Sequence, residues 1–246
     1  MRILFAIVLL ALASIPAKSA ESPYFELRVY DVTTNKLAGV LERFRDAVEP
    51  IRRKHGINTV GYWTSSSTNG EKFVYLMTGT NRAAFQKSEQ EFGADPDFKT
   101  AYAASNQKHG KTVDKITSTT LATEDAKLDF APSPTARAFD LRFYSINPGK
   151  LAAFQARWRD HAVPIYERHH LHSIGWWVAE QKDSEGHEVF VCLLEGESIP
   201  AIQKSIAEFH QDEEWQLTER NTEKDGKLRS GVTAFKMTPT DFSPLK

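Results

Sequence analysis

An acid, an arginine and a tyrosine at alternate positions are the side chains best suited to holding a charged ligand. The pattern occurs twice, at Glu26, Arg28 and Tyr30 and again at Asp140, Arg142 and Tyr144. An arginine can hold a carboxylate through two parallel hydrogen bonds, so the pattern predicts a pocket for an organic anion. The alternative is a symmetric network of ion pairs that fixes how two sheets pack, because buried charges must be paired.

Three histidines are candidates for proton transfer. His55 and His169 each end the apolar stripe of a predicted helix, and His161 lies two turns before His169 on nearly the same side. A histidine between a helix and a sheet is suited to taking a proton from a small aromatic or carbonyl compound. We therefore take His161, His169 and Tyr144 as candidate catalytic residues. The alternative is a structural histidine that the helix dipole stabilises.

The short cluster of His169, His170 and His172 raises the question of a metal site. Three histidines so close together at a helix end diverge, and neither a cysteine nor a carboxylate lies at ligand spacing nearby. We predict no metal site. The sequence also lacks a glycine-rich phosphate loop, a G-x-S-x-G elbow and an H-E-x-x-H motif. We therefore expect no cofactor.

Paired aromatic residues on two predicted strands could form the walls of a ligand cavity. The pairs are Tyr62-Trp63 and Trp176-Trp177. Side chains alternate along a strand, so one member of each pair faces the helices and the other faces the opposite sheet. We take Trp177 and Trp63 as candidate ligand-binding residues, and Tyr166 as a further one. Simple core packing is the competing explanation.

The elements that would position these residues occur twice. The segment FELRVY begins at Phe25 and FDLRFY begins at Phe139, an offset of 114 residues at which the motifs that follow also align. A match this long and colinear indicates an internal duplication. The predicted organisation is a first repeat at 23–123, a linker at 124–137 and a second repeat at 138–240.

Each repeat reads β-α-β-β-α-β, which predicts an α+β fold. Two tandem ferredoxin-like βαββαβ units, each with both helices on one face of its sheet, would pack sheet to sheet as an intrachain pseudo-dimeric α+β barrel. We expect Pro50 and Pro164 to kink or break the first helix of each unit. Asp95-Pro96 divides the second helix. In this arrangement the charged alternation of the first strands would lie between the two sheets.

Several motifs resemble the NIPSNAP family. They are Glu26–Tyr30, Pro148–Lys150, Arg168–His170, Gly175–Trp177 and an Asp-x-x-Trp/Phe opening of the last helix. The resemblance covers nearly the whole chain after residue 20 and implies a dimeric α+β barrel. That superfamily includes cofactor-free monooxygenases, isomerases and heme enzymes, so the resemblance does not select an activity. The first repeat departs from the pattern, because Thr34-Asn35 replaces Pro148-Gly149 and Ala47 replaces His161.

The first residues and the overall composition bound where the protein acts. Residues 1–20 have the charged, apolar and small-residue regions of a secretory signal peptide. We therefore expect export to the periplasm or the extracellular space, without a stable membrane anchor. A net charge of −1 argues against nucleic-acid binding. The only cysteine, Cys192, lies in a predicted buried strand and cannot form an intrachain disulfide.

The function that these observations favour is small-molecule binding. The protein would be either a binding protein or a cofactor-independent enzyme of the monooxygenase or isomerase type. The ligand would be a small aromatic compound or an organic acid in a pocket between helices and sheet. In the second repeat that pocket would be lined by Arg142, Tyr144, His161, His169, Tyr166 and Trp177. In the first repeat its counterparts would be Arg28, Tyr30, His55 and Trp63.

The alternative is a non-catalytic structural or interaction module of the cell envelope or the extracellular space. That alternative predicts an exposed apolar patch on a helix face. In both cases we expect a monomer with internal pseudo-two-fold symmetry, because one chain already provides both halves of the barrel.

Overall fold

A computed structural model describes residues 23–67, 70–122, 128–131 and 137–246. The first repeat consists of β1 Tyr24–Val32, α1 Leu37–Arg43, a π-helical segment Phe44–Val48, α2 Glu49–Lys54, β2 Asn58–Ser67, β3 Gly70–Gly79, α3 Arg82–Ala94, α4 Pro96–His109 and β4 Val113–Ala122. The second repeat consists of β5 Ala138–Ile146, α5 Leu151–Arg157, a π-helical segment Trp158–Ala162, α6 Val163–Arg168, β6 His172–Ala179, β7 Glu188–Gly196, α7 Ile199–Gln211, α8 Glu213–Thr222 and β8 Arg229–Pro239. The predicted signal peptide lies outside the described residues, as does most of the predicted linker.

The eight strands form one closed barrel in the order β1-β3-β2-β8-β5-β7-β6-β4. Every neighbouring pair is antiparallel. The two repeats join at two short seams, where Trp63 lies opposite Pro239 and Leu121 lies opposite Ala179. The predicted fold, two βαββαβ units that close an α+β barrel, is confirmed.

The barrel interior is apolar and nearly full. Its central cavity measures only about 10 Å³. It is lined by Leu27, Trp63, Val74, Leu76, Leu121, Leu141, Trp177, Val191, Leu193 and Met237. A cavity of that size holds at most a single water molecule. The interior of the barrel therefore serves as the core that joins the two repeats, and it offers no ligand site.

The expectation that the charged alternation lies between the two sheets is wrong. Leu27 and Leu141, which flank the charged residues, point into the barrel, so Arg28 and Arg142 point the opposite way, under the helices. The physical reason is charge pairing. Helix α3 supplies a carboxylate for Arg28 at Glu89, whereas the barrel interior provides only apolar contacts.

Proline does not break the first helix of either repeat. The π-helical segments Phe44–Val48 and Trp158–Ala162 end just before Pro50 and Pro164, and helical structure then continues through α2 and α6. Proline cannot donate the hydrogen bond to the carbonyl four residues earlier, and its ring crowds that carbonyl. A wider π turn accommodates this locally. The helix therefore changes type before each proline and does not end there.

The glycine before each tryptophan pair lets an indole ring lie against the backbone. A Cβ atom on Gly61 would lie 2.3 Å from the ring of Trp63, and one on Gly175 would lie 2.9 Å from the ring of Trp177.

The prediction that each aromatic pair divides between two faces is confirmed. Tyr62 packs under the helices, and Trp63 and Trp177 pack in the barrel interior.

Two further predictions concern single residues and helix lengths. Cys192 is fully buried in β7, as predicted, and burial raises the pKa of its thiol. Among the helices that the structure describes, each is too short or too polar to cross a membrane.

Candidate functional site

Each repeat has a pocket between its helices and its side of the sheet. The pocket of the first repeat, called the first pocket below, has a cavity of about 160 Å³ and is lined by β1, β4 and the helical segments α1–α4. The equivalent second pocket has a cavity of about 60 Å³. The lining positions correspond. Arg28 and Tyr30 of the first pocket are replaced by Arg142 and Tyr144 in the second.

Arg52 forms the floor of the first pocket. Its side chain is 2% exposed, and its guanidinium lies 4.7 Å from the ring centre of Tyr75 and 5.2 Å from that of Phe92. Such contacts with aromatic rings partly replace the water that a buried cation loses. Nη2 donates a hydrogen bond to the Tyr75 hydroxyl at 3.2 Å, whereas Nη1 has no hydrogen-bond partner among the described residues.

Hydrogen bonding also leaves a donor on Tyr30 free. The Tyr75 oxygen accepts hydrogen bonds from Arg52 and, at 3.5 Å, from Nη1 of Arg28. The Tyr30 and Tyr75 oxygens lie 2.8 Å apart and either hydroxyl can donate, but with both lone pairs of Tyr75 occupied we assign the shared proton to Tyr75. Burial raises the pKa of Tyr30, so its hydroxyl stays protonated. The Tyr30 proton is thus available to a ligand.

Positive charge exceeds negative charge around the first pocket. Arg28 binds Glu26 through Nε at 2.6 Å and Glu89 through Nη2 at 2.5 Å. Within the described ranges, the one carboxylate paired with Arg52 is that of Glu89, at 3.9 Å. Glu89 Oε1 also lacks a hydrogen bond among the described residues. The third guanidinium of the pocket, that of Arg43, donates only to neutral oxygens, on Ser105, Asn106 and Thr112. Three cations therefore share two carboxylates, which favours an anionic ligand.

The second pocket has a neutral floor. Tyr166 takes the place of Arg52 and stacks on Phe209, with ring centres 4.0 Å apart. Arg142 donates to Asp140 through Nε at 2.7 Å and to the Tyr144 hydroxyl at 3.2 Å. Asp140 is fully buried and also pairs with Lys236 at 2.8 Å. The charge of Arg142 is therefore matched inside the protein.

The polar groups of the second pocket lie at its mouth. His210 and Arg229 line the opening, and the Arg229 guanidinium lies 5.7 Å from the ring centre of Tyr144. Partial burial, and then the charge of Arg142, lowers the pKa of His210. Its imidazole is neutral at pH 7. Arg157, the counterpart of Arg43, is paired with Glu223 at 2.9 Å.

The predicted site residues divide among several places. The structure brings Arg142, Tyr144 and Tyr166 together in the second pocket. It also brings Arg28 and Tyr30 together in the first. The expectation that Trp177 and Trp63 line these pockets is wrong. Side-chain alternation turns both indoles into the barrel, while their neighbours Trp176 and Tyr62 take the helix side.

The predicted histidines do not line either pocket. His55 donates to Asp95 at 2.6 Å, and His169 donates to Asp212 at 3.0 Å. These aspartates cap α4 and α8, so each histidine joins the two helices of its repeat. His161 is half-buried on its π-helical segment and lies away from the pocket lining. The described residues hold no group of three or more His, Cys, Asp or Glu side chains placed to bind a metal ion.

Five basic residues of the pockets were missed by the sequence analysis: Arg43, Arg52, Arg157, His210 and Arg229. Arg52 had a usable signal, because it follows Phe44 and Val48 at intervals of four and so continues one helix face. A charged residue at such a position, with tyrosine at the same place in the other repeat, indicates a special role. Nothing comparable marks the other four.

Comparison with known proteins supports the fold and gives the family. A candidate monooxygenase from Fusobacterium nucleatum subsp. nucleatum is 12% identical, with a TM-score of 0.59 over 92% of this chain and 94% of its own. A candidate monooxygenase from Lactobacillus acidophilus is 10% identical, with a TM-score of 0.52 over 89% and 94%. At these identities the likeness shows the fold alone. No curated protein matches the chain. The NIPSNAP family model matches residues 25–126 and 139–244, once per repeat, and the chain therefore belongs to the NIPSNAP family.

Proposed function

We propose that this protein binds a small organic anion, with a carboxylate as the charged group, in the first pocket. The observation that carries the proposal is Arg52, a buried guanidinium at the floor of an open cavity, whose Nη1 has no hydrogen-bond partner in the part of the chain that the structure describes. A planar carboxylate matches the fork of donors that an arginine presents.

The energetics of Arg52 favour a binding role over a structural one. Removing a cation from water costs several kcal/mol unless good hydrogen bonds replace the lost hydration. Here the replacement is incomplete, because only the Tyr75 hydroxyl accepts at hydrogen-bond distance. A structural arginine at this depth would have its carboxylate closer than the 3.9 Å that separates it from Glu89. A bound carboxylate supplies the missing acceptor.

The cavity volume limits the size of the ligand. About 160 Å³ is close to the roughly 150 Å³ of an engineered cavity that binds benzene. One aromatic ring, or an aliphatic group of similar volume, therefore fits above Arg52. The 60 Å³ of the second pocket is too small for a ring unless side chains move. Of the two repeats, the first is the one we assign as the binding site.

The interaction-module alternative receives less support. The large apolar side chains that are exposed among the described residues are Tyr102, Ile116, Val232 and Leu217. Three of these four line the pockets themselves, so they do not form a separate patch on a helix face. We therefore propose ligand binding and assign no reaction. The monooxygenase names belong to the two structural neighbours, and the pocket residues provide no observation that selects that chemistry.

Binding is tested by titrating benzoate and its neutral isostere benzamide into the protein by isothermal calorimetry. We expect one benzoate per chain and markedly weaker binding of benzamide, because only the anion matches the excess cation. In Arg52→Met, benzoate affinity should fall on the order of 10- to 150-fold, the range for hydrogen bonds to charged groups. The melting temperature should not fall, because an incompletely compensated buried charge is removed.

The matched control is Tyr166→Phe, at the equivalent position of the second pocket, which should leave benzoate binding unchanged. Undiminished benzoate affinity in Arg52→Met would overturn the proposal. So would a large loss of stability without any loss of affinity, because it would make Arg52 a structural residue.

We also propose that the protein is exported and monomeric. The support is the signal-peptide pattern of residues 1–20 and the barrel that one chain closes by itself. Intact mass measurement of the secreted form and light scattering test the two statements. A retained N-terminus or an obligate dimer would contradict them.

A further inference from the structure

The rim of the first pocket carries two exposed apolar side chains, although the floor of the pocket is charged. Tyr102 and Ile116 line the opening and are 45% and 52% exposed. Exposed apolar side chains at a pocket mouth are positioned to cover the apolar part of a bound molecule. The path from Arg52 to solvent thus passes over apolar side chains, beside the half-buried Arg43.

The aromatic side of this rim is held in place. The ring centres of Tyr102 and Phe98 lie 5.8 Å apart. The guanidinium of Arg43, at the end of α1, lies 4.7 Å from the centre of the Tyr102 ring. Arg43 is itself fixed by three hydrogen bonds to neutral oxygens of α4 and the segment that follows it. A preorganised surface costs less entropy on binding than a mobile one.

The second pocket has the opposite arrangement. Its floor carries the Tyr166 hydroxyl, and its opening carries Arg229 and His210. The counterpart of Tyr102 is Glu219, whose negative charge opposes the effect of burial on the pKa of His210. Only Val232, opposite Tyr144 on β8, preserves the apolar character of Ile116, opposite Tyr30 on β4. The polarity of the first pocket is therefore not a general consequence of the fold.

We propose that the ligand of the first pocket is an amphipathic monocarboxylic acid. Its carboxylate binds Arg52 and accepts a hydrogen bond from the Tyr30 hydroxyl, and its apolar chain leaves the pocket over Ile116 and Tyr102. This inference rests on the proposed anion binding and adds the ligand class. Aryl-alkyl and medium-chain acids fit this description, whereas short hydroxy acids such as lactate do not, because their hydroxyl would face the aromatic walls.

The test is a calorimetric series of ω-phenyl carboxylates from benzoate to phenylbutanoate, with lactate and acetate for comparison. We expect affinity to rise two- to fourfold for each methylene that reaches the rim, as burial of a methylene predicts. Ile116→Ser should weaken phenylbutanoate about fivefold and leave benzoate unchanged. Val232→Ser is the matched control, on the equally exposed rim of the second pocket, and should affect neither ligand.

Three outcomes would overturn the ligand class. They are an affinity that does not change with chain length, lactate binding as tightly as phenylbutanoate, and equal effects of Ile116→Ser and Val232→Ser. If these occur while Arg52→Met still weakens benzoate binding as expected, anion binding stands and only the amphipathic ligand is excluded. If no carboxylate binds at all, both proposals fail.

Discussion

The two pockets are formed by the same arrangement of strands and helices and differ in where their charged side chains lie. In the first, a guanidinium occupies the floor and apolar side chains occupy the rim. In the second, a tyrosine occupies the floor, and the Arg229 cation and the neutral His210 occupy the mouth. The floor charge of the first repeat requires acceptors nearby. Tyr75 and Glu89 supply them, and the second repeat has Cys192 and Ile206 in the corresponding positions.

The comparison shows how an internal duplication can specialise its halves. A cation at Arg52 and acceptors at Tyr75 and Glu89 must occur together, because each is costly to bury alone. The second repeat has none of the three, and its floor is an aromatic stack of Tyr166 on Phe209. Selection on one site would therefore act on this group of residues as a unit.

The largest expected effect concerns the acids beside the paired arginines. Asp140→Asn should lower the free energy of unfolding by about 3–5 kcal/mol, because it leaves Arg142 and Lys236 without their carboxylate in a fully buried place. The matched change Glu26→Gln should cost less, about 1–2 kcal/mol, since Arg28 keeps Glu89. Urea denaturation followed by tryptophan fluorescence measures both. An equal or larger cost for Glu26→Gln would contradict the difference in charge matching between the pockets.

The next effect comes from moving the floor charge to the second repeat. Tyr166→Arg should destabilise the protein by about 3 kcal/mol, because an arginine there finds neither Tyr75 nor Glu89 equivalents. Tyr166→Phe is the control and should cost less than about 1 kcal/mol, since the ring stack on Phe209 remains. Adding Ile206→Glu to Tyr166→Arg should restore part of the loss. Full stability of the single arginine variant would show that the floor charge does not need its acceptors.

The smallest expected effect is a change in the free energy of unfolding at low pH. It concerns Asp95 and Asp212, which cap α4 and α8. The hydrogen bond from His55, and then Lys54, holds the pKa of Asp95 well below its usual range. At Asp212, partial burial acts to raise the pKa of the carboxyl group. The hydrogen bond from His169 acts in the opposite direction, and the resulting pKa is about 2. A lowered carboxyl pKa stabilises the fold above the unfolded value of about 4, and the contribution disappears as pH falls toward the folded value.

Asp95→Asn and Asp212→Asn should therefore be less stable than the wild type at pH 7, and the differences should shrink between about pH 4 and pH 2. Asp95→Asn should show the larger pH dependence of the two, because its pKa is displaced further. Urea midpoints at pH 7, 4, 3 and 2.5 measure this. Differences that stay constant over that range would assign the loss to the helix caps alone.

Much of the fold was predictable because its signals are local or repeated. The alternation around Arg28 predicted a strand, Asp95-Pro96 predicted a helix boundary, and the repeat predicted two equal units. The prediction that failed was which face of β1 points into the barrel. The alternation in β1 fixes that Leu27 and Arg28 point oppositely, but it does not fix which of them meets the helices.

The site was only partly predictable for a related reason. Arg28, Tyr30, Arg142, Tyr144 and Tyr166 were selected from the sequence, and they line the pockets. His55 and His169 were selected for their ability to transfer protons, yet each donates a hydrogen bond to the aspartate that caps α4 or α8. Arg52 was missed because its burial depends on α3 and β3, which lie far from it in the sequence.

The sequence by itself determined the duplication, the order of the elements and the family, because these depend on patterns along the chain. The tertiary structure alone decided that the barrel interior is filled and that the cavities lie under the helices. It also decided that the charge of Arg52 exceeds its nearby acceptors. The physical reason is that cavity volume and charge balance depend on which distant side chains meet, and a linear pattern does not contain those distances.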